Sequence, residues 1–165
     1  MLPAEIRDYP WTSINLNCNY AARRHRDGNN FGASLIAAVG DFTGGGLAVW
    51  PEDNKSVHLD KLPNQQIEVD ISENLVMFNG NSAHEVKDFE GERFSIVYFT
   101  IGCHAKADKK VKDELVDLGF QVPHEKEDAF KFLRKPAGYP APKGTSSKKT
   151  LRVWNLKNLQ KQAKP

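Results

Sequence analysis

The most restrictive feature of this sequence is a series of short apolar segments, separated by turn residues, that runs from Ser13 to Thr100. In residues 67–71 apolar and polar side chains alternate with a period of two, which is typical of a strand with one buried face. Residues 34–39 are almost entirely apolar and predict a strand buried on both faces. About seven short strands at this spacing favour a small sandwich or barrel over alternating βαβ units. The sequence therefore predicts a mainly β fold.

Four further segments carry specific structural predictions. Residues 13–20 alternate apolar and polar side chains and predict a half-buried strand. Asp88–Gly91 separates two strand-like segments and predicts a hairpin turn. After the strands, Asp108–Leu118 predicts a helix that ends before Gly119, and Glu125–Leu133 predicts a second helix. We therefore expect a β core followed by C-terminal helices.

Length and cysteine content favour a single intracellular domain. A chain of 165 residues can bury a sizeable core without disulfides. Cys18 and Cys103 are too few for a disulfide scaffold and do not lie in a metal-binding CxxC spacing, so reduced thiols are expected. The sequence contains no apolar run as long as a signal-peptide core or a membrane span. We expect a protein of the cytoplasm or nucleus that has no membrane partner.

Charge is distributed unevenly along the chain. From Lys143 onward there are seven Lys or Arg and no acid, whereas residues 1–142 carry all 21 acids and a net charge of about −5. We therefore divide the chain into a body, residues 1–142, and a basic C-terminal tail, residues 143–165. The tail is a candidate contact for nucleic-acid phosphates, and the alternative is a solvated end. Whether its segment Leu151–Leu159 docks on the body or stays mobile is left open.

A set of metal-ligand residue types is the main functional signal. His25 and Asp27 are two residues apart in an extended segment, so their side chains project to one face and can approach one ion. His84 comes from another strand and supplies a second imidazole. Two imidazoles and one carboxylate form the ligand set that holds ferrous iron while leaving coordination positions open for reactants. The imidazoles also need partners for their free N–H groups, which the sequence does not identify.

The other histidines serve as internal controls. His58-Leu59-Asp60 repeats the His-x-Asp spacing. However, the polar His58 and Asp60 alternate with the apolar Val57 and Leu59, which predicts a strand with a polar outer face. In addition, only 23 residues separate Asp60 from His84. We therefore favour His25, Asp27 and His84 as the ligands. His104 and His124 lie in polar connecting segments and are interpreted as structural.

Arg93 and Ser95 follow the second histidine and share one strand face. If that face is interior, a guanidinium and a hydroxyl meet within an apolar shell formed by Val97 and Phe99. A buried arginine needs a partner, and a carboxylate that accepts two parallel N–H bonds is its best geometric match. The alternative is an ordinary ion pair with an acid such as Glu85 at the surface.

These residues together resemble the iron(II)/2-oxoglutarate-dependent dioxygenases, whose pattern is HxD, a distant His, and an Arg followed two residues later by Ser. The resemblance covers about Ser13 to Thr100. It implies a double-stranded β-helix (jelly-roll) core. It also implies Fe(II) held by His25, Asp27 and His84, with O2 and 2-oxoglutarate as co-substrates. The far carboxylate of 2-oxoglutarate would meet Arg93 and Ser95, with no catalytic residue beyond the metal ligands.

Within this superfamily, two stretches are similar to the TET/JBP-type branch, which oxidises the methyl group of thymine or 5-methylcytosine. They are His25–Gly32 and Gly40–Gly46. The resemblance makes a methylated nucleobase a candidate substrate. Arg23, Arg24 and Arg26 interleave with the metal motif and are candidates for phosphate contacts, the alternative being a solvated strand end. Further candidates for lining the co-substrate pocket are Asn17, Asn19 and Tyr20.

Three alternatives remain at this point. One is a peptide or small-metabolite hydroxylase of the same superfamily, because the loops that shape the pocket are not readable from sequence. Another is a non-catalytic, cupin-like module that binds a metal or a small acid without turnover. In the third, the basic tail is the functional part and the body is its scaffold.

Overall fold

The computed structural model describes residues 2–124, 127–128, 130–133 and 151–162, and within these ranges the protein is mainly β, as predicted. Three short 3₁₀ turns lie at Ala4–Ile6, Leu59–Lys61 and His104–Lys106. No helix in these ranges is long and apolar enough to cross a membrane. The elements in chain order are β1 Ser13–Cys18, β2 Ser34–Gly44, β3 Leu47–Val49, β4 Ile67–Val69, β5 Asn74–Phe78, β6 His84–Val86, β7 Phe89–Phe99, α1 Lys109–Asp117, β8 Leu151–Asn155 and α2 Leu156–Gln162.

The strands form two antiparallel sheets. The larger sheet has the order β1-β7-β2-β5-β8, and the smaller has the order β4-β3-β6. β7 is central to the larger sheet, because it pairs with β1 along Phe94–Phe99 and with β2 along Phe89–Tyr98. The residues of β7 that alternate toward the smaller sheet therefore lie in the interior.

The core of the described residues has three parts: one on each face of the larger sheet, and a small cluster formed by Ala48, Trp50 and Ala83. Between the sheets, Ile36 and Val76 pack with Leu47 and Val49 of the smaller sheet. On the outer face, alternate residues of β2 and β5 pack beneath Ile6, Tyr9 and Leu133. Strand β2 thus has core on both sides along Ser34–Ala38, which confirms the predicted doubly buried strand there, whereas Val39 at the end of the apolar run is 63% exposed.

Strand β1 forms where expected, but its two faces are the reverse of the usual pattern. Its apolar side is exposed, with Leu16 73% and Ile14 42% accessible. On its other side, Asn15 and Asn17 line a cavity between the sheets, with Asn17 partly buried and Asn15 exposed. The prediction of a half-buried strand is wrong, because four of the six residues are exposed and the inward side borders an open cavity instead of packed core.

The predicted hairpin at Asp88–Gly91 is wrong. β6 belongs to the smaller sheet and β7 to the larger one, so the two strands are not paired with each other. Phe89–Gly91 is instead the first part of β7 and pairs with Phe42–Gly44 of β2. The signal failed because a Gly next to acidic residues is read as a turn, whereas here Gly91 lies inside a strand.

The predicted first helix is confirmed as α1. Asp108 caps it, since its carboxylate accepts the N–H of Val111 at 2.9 Å, and Gly119 follows it with a left-handed φ of 89°. For the predicted second helix, residues 125, 126 and 129 lie outside the described ranges. The described positions near it form turns, closed by hydrogen bonds such as Leu133 N–H to Phe130 O at 3.0 Å.

The C-terminal segment docks on the body. β8 pairs with β5 from Leu151 opposite Phe78 to Asn155 opposite Asn74. Leu151 is completely buried between the sheets. The cations of this segment also meet body acids, Arg152 with Glu5 at 3.5 Å and Lys157 with Glu73 at 2.8 Å. Residues 134–150, which include the start of the predicted tail, lie outside the described ranges.

We expect Leu151→Ala to lower the free energy of unfolding by about 2–5 kcal/mol, because it leaves a cavity between the sheets. Val153→Ala is the matched control, since Val153 lies on the same face of β8 but is 37% exposed. The control should change stability by less than about 1 kcal/mol. Urea unfolding followed by circular dichroism measures both, and equal effects would contradict the docked position of Leu151.

Candidate metal centre

His25, Asp27 and His84 converge at one point between the sheets. The Nε2 atom of His25 lies 3.3 Å from Asp27 Oδ1, and the Nε2 atom of His84 lies 3.8 Å from the same oxygen. The potential ligand atoms of the three residues all lie within 4.8 Å of one another. The structure therefore brings together the three residues that the sequence selected as ligands.

A two-residue β-bridge holds the histidines side by side. The N–H of His25 donates to the carbonyl of His84, and the N–H of His84 donates back, both at 3.0 Å. His84 begins β6, whereas His25 lies outside the eight strands and pairs only at this point. The two rings consequently lie on one face, with centroids 4.2 Å apart.

Backbone carbonyls orient both imidazoles. His25 Nδ1 lies 2.7 Å from the carbonyl of Arg23, and His84 Nδ1 lies 3.0 Å from the carbonyl of Ser82. A carbonyl only accepts, so each Nδ1 carries a proton, and in the neutral form of each ring Nε2 has the free lone pair. This is the arrangement by which proteins prepare histidines to bind a metal.

Asp27 is held by the turn that follows it. Its Oδ2 accepts a hydrogen bond from Asn30 Nδ2 at 2.9 Å, and its backbone N–H donates to Gly80 O at 2.8 Å. A Cβ on Gly80 would lie 2.4 Å from Oδ2, so only glycine leaves room for the carboxylate. With Oδ2 engaged, Oδ1 is the oxygen presented to the histidines.

The two histidines differ in proton affinity. The Asp27 carboxylate, which accepts a hydrogen bond from the protonated His25 ring, raises the pKa of His25, although partial burial opposes the shift. Burial lowers the pKa of His84, which is only 6% exposed. Since a metal binds the neutral imidazole, His25 is the ligand at which protons compete most strongly with a metal ion.

The three ligands open onto a cavity of about 590 Å³, which is large enough for a small organic molecule. All three line its wall, so an ion bound by them would be covered by protein on one side only. Two nitrogens and one oxygen suit a divalent transition metal, and the open side leaves room for further ligands. The group therefore has the composition of a transition-metal site and lies open to the cavity.

Arg93 is completely buried and lacks an acidic partner among the described residues. Its Nε and Nη2 atoms have no hydrogen-bond partner there, and Nη1 makes only a long bond of 3.3 Å to the carbonyl of Tyr20. The rings of Phe42 and Phe89 lie 5.6 and 5.4 Å from its guanidinium carbon. Burial accordingly lowers the pKa of Arg93. The alternative of a surface ion pair is wrong, because Glu85 pairs with Arg24 and Lys87 instead.

The space for Arg93 is made by neighbouring backbone. A Cβ on Gly45, which has a φ of +68°, would lie 2.9 Å from Arg93 Nε. On the opposite side, Asn19 adopts a left-handed φ of 49°, and its Oδ1 accepts the backbone N–H of Arg93 at 2.8 Å. The glycine-rich stretch Gly40–Gly46 thus has a structural role in accommodating the guanidinium.

Ser95 and Arg93 share a face but differ in access to the cavity. Ser95 lines the cavity and accepts a hydrogen bond from Asn17 Nδ2 at 3.2 Å, whereas Arg93 is not among the lining residues. Tyr20 also lines the cavity, while Asn19 instead supports Arg93. Of the three suggested pocket residues, Asn17 and Tyr20 are thus placed at the cavity.

The second His-x-Asp motif is a surface feature. The side chains of His58 and Asp60 are 72% and 87% exposed and pair only with each other at 3.1 Å. The predicted strand there is wrong, because Leu59–Lys61 forms a 3₁₀ turn. His104 is buried against Phe31 and bonds to the carbonyl of Ile101, and His124 is exposed.

The three arginines around the motif differ from one another. Arg24 pairs with Glu85 at 3.0 Å and lies over the Trp50 ring, and Arg26 makes a two-pronged pair with Asp53. Arg23 is exposed at the cavity wall. Of the three, Arg23 is the one available for a ligand at the mouth.

Sequence reasoning missed the supporting residues of the site. Arg23 and Ser82 contribute through their backbone carbonyls, which every residue has, so the sequence does not single them out. Asp53 lies in a polar loop that has no distinguishing sequence feature. Asn30 was visible as part of the turn after Asp27, and its three-residue spacing from the carboxylate could have indicated the hydrogen bond. Neither a scan against protein-family models nor a search of curated proteins finds a match for this chain.

We expect the protein to bind one Co²⁺ per chain, with Co²⁺ serving as an air-stable probe ion for two imidazoles and one carboxylate. Asp27→Ala and His84→Ala should each weaken binding by more than about a hundredfold, beyond the usual effect of losing an outer partner. His58→Ala is the matched control and should bind like the parent. Isothermal titration calorimetry measures the affinities, and equal losses in His58→Ala and His84→Ala would contradict the site.

Proposed function

We propose that the protein is an iron(II)- and 2-oxoglutarate-dependent dioxygenase that hydroxylates a C–H bond of its substrate. The reaction would convert substrate C–H, O2 and 2-oxoglutarate into C–OH, succinate and CO2. The observation that carries the proposal is the convergence of His25, Asp27 and His84 at the wall of an open cavity. Two imidazoles and a carboxylate on one side of an ion are the ligand set of non-haem iron(II) oxygenases.

We also propose that the two sheets form a double-stranded β-helix, or jelly roll. In a jelly roll consecutive strands alternate between two facing sheets. The orders β1-β7-β2-β5 and β4-β3-β6 support this fold, since the chain repeatedly crosses from one sheet to the other. The bridge from His25 to His84 adds the missing fourth position to the smaller sheet, beside β6.

The chemistry of Arg93 supports a carboxylate co-substrate. A buried guanidinium without an acid is costly, by about 3–5 kcal/mol when a partner is removed. The unpartnered Nε and Nη2 atoms are the two donors on one edge of the guanidinium, which is the edge that binds a carboxylate with two parallel bonds. Ser95, one pleat along the same face, adds a hydroxyl at the cavity wall. A dicarboxylate would thus supply the negative charge that no described residue places beside the Arg93 guanidinium.

The chain's own residues would position and shield the reactants. His25, Asp27 and His84 would hold the iron, and their fixed orientation leaves its remaining positions toward the cavity. Bound iron would supply oxygen activation and the oxidative decarboxylation of 2-oxoglutarate. Ser95 and Arg93 would orient the co-substrate, while Val97 and Phe99 provide apolar wall that excludes water. The protein would supply placement rather than an acid or a base.

A methylated nucleobase, 5-methylcytosine or thymine, is the substrate class that the TET/JBP-type resemblance favours within this proposal. Arg23 at the cavity wall offers an exposed cation for a phosphate. Arg24 and Arg26 are committed to ion pairs, so the cationic rim is smaller than the sequence suggests. Mass spectrometry of methylated oligonucleotides, peptides and metabolites after incubation distinguishes the substrate classes.

We expect succinate to form from 2-oxoglutarate only when ferrous iron and oxygen are both present. Asp27→Ala should reduce the initial rate to the level of the iron-only blank, because it removes the carboxylate ligand. Asp60→Ala, in the exposed second motif, is the control and should retain the parent rate. Succinate is measured by mass spectrometry, and equal output from parent and Asp27→Ala would overturn the proposal.

We expect Arg93→Met to separate stability from co-substrate binding. The free energy of unfolding of the ligand-free protein should rise by about 1–4 kcal/mol, because a buried unpaired charge is replaced by an apolar side chain. Affinity for 2-oxoglutarate should fall at least about a hundredfold, since two charged hydrogen bonds are lost. Urea unfolding and calorimetric titration measure the two effects.

Arg23→Ala is the control for this experiment, because it removes a guanidinium from the cavity wall without touching the interior. It should leave affinity for 2-oxoglutarate within about threefold of the parent, as expected for an exposed cation. If Arg93→Met keeps its affinity for 2-oxoglutarate and Arg23→Ala loses most of it, the carboxylate site lies at the cavity mouth beside Arg23 and not at Arg93.

A further inference from the structure

The residue between the first two ligands points away from the cavity. Arg26 separates His25 from Asp27, and it is not among the residues that line the cavity. Its guanidinium makes a two-pronged pair with Asp53, with Nε 2.7 Å from Oδ2 and Nη2 2.8 Å from Oδ1. This geometry is the strong, directional form of an ion pair. The segment that carries two ligands is thus tied from behind to the loop after β3.

The carboxylate of Asp53 also reaches the third ligand's strand. Asp53 Oδ2 accepts the backbone N–H of Ala83 at 2.7 Å, and Ala83 immediately precedes His84. The side chain of Asp53 is completely buried, and its Oδ1 accepts the N–H of Lys55 at 2.9 Å. One carboxylate therefore bonds to the residue beside His84 and to the residue between His25 and Asp27.

This connection adds buried side-chain bonds to a short backbone pairing. The segment around His25 belongs to none of the eight strands, and its backbone meets β6 through the His25–His84 bridge and the bond from Val86 N–H to Ala22 O at 2.9 Å. Asp27 lies two residues beyond that bridge, where its own N–H bonds to Gly80 O at 2.8 Å. Arg26 lies between them and is fixed by Asp53.

We propose that Asp53 is a positioning residue that keeps His25, Asp27 and His84 converged by binding Arg26 and the Ala83 N–H together. The inference rests on the metal-binding part of the proposed function. It gives Asp53 no contact with a reactant. Because Asp53 controls the distances between ligand atoms, its substitution should lower metal affinity directly. Any effect on turnover would follow from that loss of affinity.

Glu85 provides a matched comparison. It lies next to His84 on the other side and pairs with Arg24, the neighbour of His25, at 3.0 Å. Its side chain is 15% exposed, and its bonding partners are the side chains of Arg24 and Lys87. Glu85 thus flanks the same histidine pair with an ion pair, but among the described residues its carboxylate bonds to side chains and not to the backbone of a ligand segment. Substitution of either residue removes a charge next to the site, whereas only the Asp53 variant also alters a bond to the backbone of a ligand segment.

The test compares Asp53→Asn with Glu85→Gln in the full chain, using Co²⁺ as the probe. Calorimetry gives the affinity, and the visible spectrum of bound Co²⁺ reports its coordination. We expect Asp53→Asn to weaken Co²⁺ binding by about tenfold to a hundredfold, as for outer partners of metal ligands. Its Co²⁺ spectrum should differ from that of the parent. Glu85→Gln should stay within about threefold with the parent spectrum.

Thermal melting of the metal-free proteins separates positioning from general stability. A similar drop in melting temperature for both variants, with weakened Co²⁺ binding only in Asp53→Asn, supports the inference. Parent-like affinity and spectrum in Asp53→Asn would overturn it, even if that variant melts earlier. Should Asp53→Asn fail to fold, Arg26→Lys decides, because it keeps the charge but loses the two-pronged geometry, and parent-like Co²⁺ binding by it would overturn the inference.

The outcome is distinguishable from failure of the proposed function. A parent that binds Co²⁺ but forms no succinate with ferrous iron would remove the dioxygenase proposal and leave the positioning role standing. Parent-like metal binding in Asp53→Asn, with succinate formation intact in the parent, would remove only the positioning role. A parent that binds no Co²⁺ would overturn both.

Discussion

The reciprocal backbone pair between His25 and His84 is the constraint on which the rest of the site depends. Two hydrogen bonds of 3.0 Å join segments that lie far apart in the chain and place both rings on one face. The carbonyls of Arg23 and Ser82 then fix the ring orientation, and the turn at Asn30 and Gly80 fixes the carboxylate. Each of these contacts is local and contributes modestly to stability. Together they bring the three side chains to one point only when the bridge is formed.

Arg93 imposes the opposite kind of constraint, because it opposes folding in the absence of a ligand. Its burial needs glycine at position 45 and the left-handed turn at Asn19. Both features limit the chain without giving the guanidinium an acid. A fold that keeps an unsatisfied cation gives up stability for recognition, which is a frequent cost at functional sites. Under the proposed function, the site would combine a prearranged ligand set with a guanidinium whose partner is a bound carboxylate.

The sequence contained most of the strand segments of residues 13–99, α1 and the three candidate ligand residues, because period-two alternation, capping signals and ligand spacing are all local patterns. It did not contain strand β8 or the pairing of strands, so the predicted hairpin of β6 and β7 is wrong, since the two strands lie in different sheets. It misled about β1, where Asn15 and Asn17 line the cavity and Leu16 lies in solvent. The supporting groups were invisible, since most of them are backbone atoms or come from distant loops.

The position of β8 has a consequence for how the site matures. Leu151 is opposite Phe78, and the Phe78 ring lies 5.0 Å from the ring of His84. Downstream residues therefore complete the wall behind a ligand that is synthesised much earlier. Such a long-range contact closes slowly compared with local turns. During translation the nascent chain will carry His25, Asp27 and His84 long before β8 emerges, so we expect the packing behind His84 to be completed only when β8 pairs with β5.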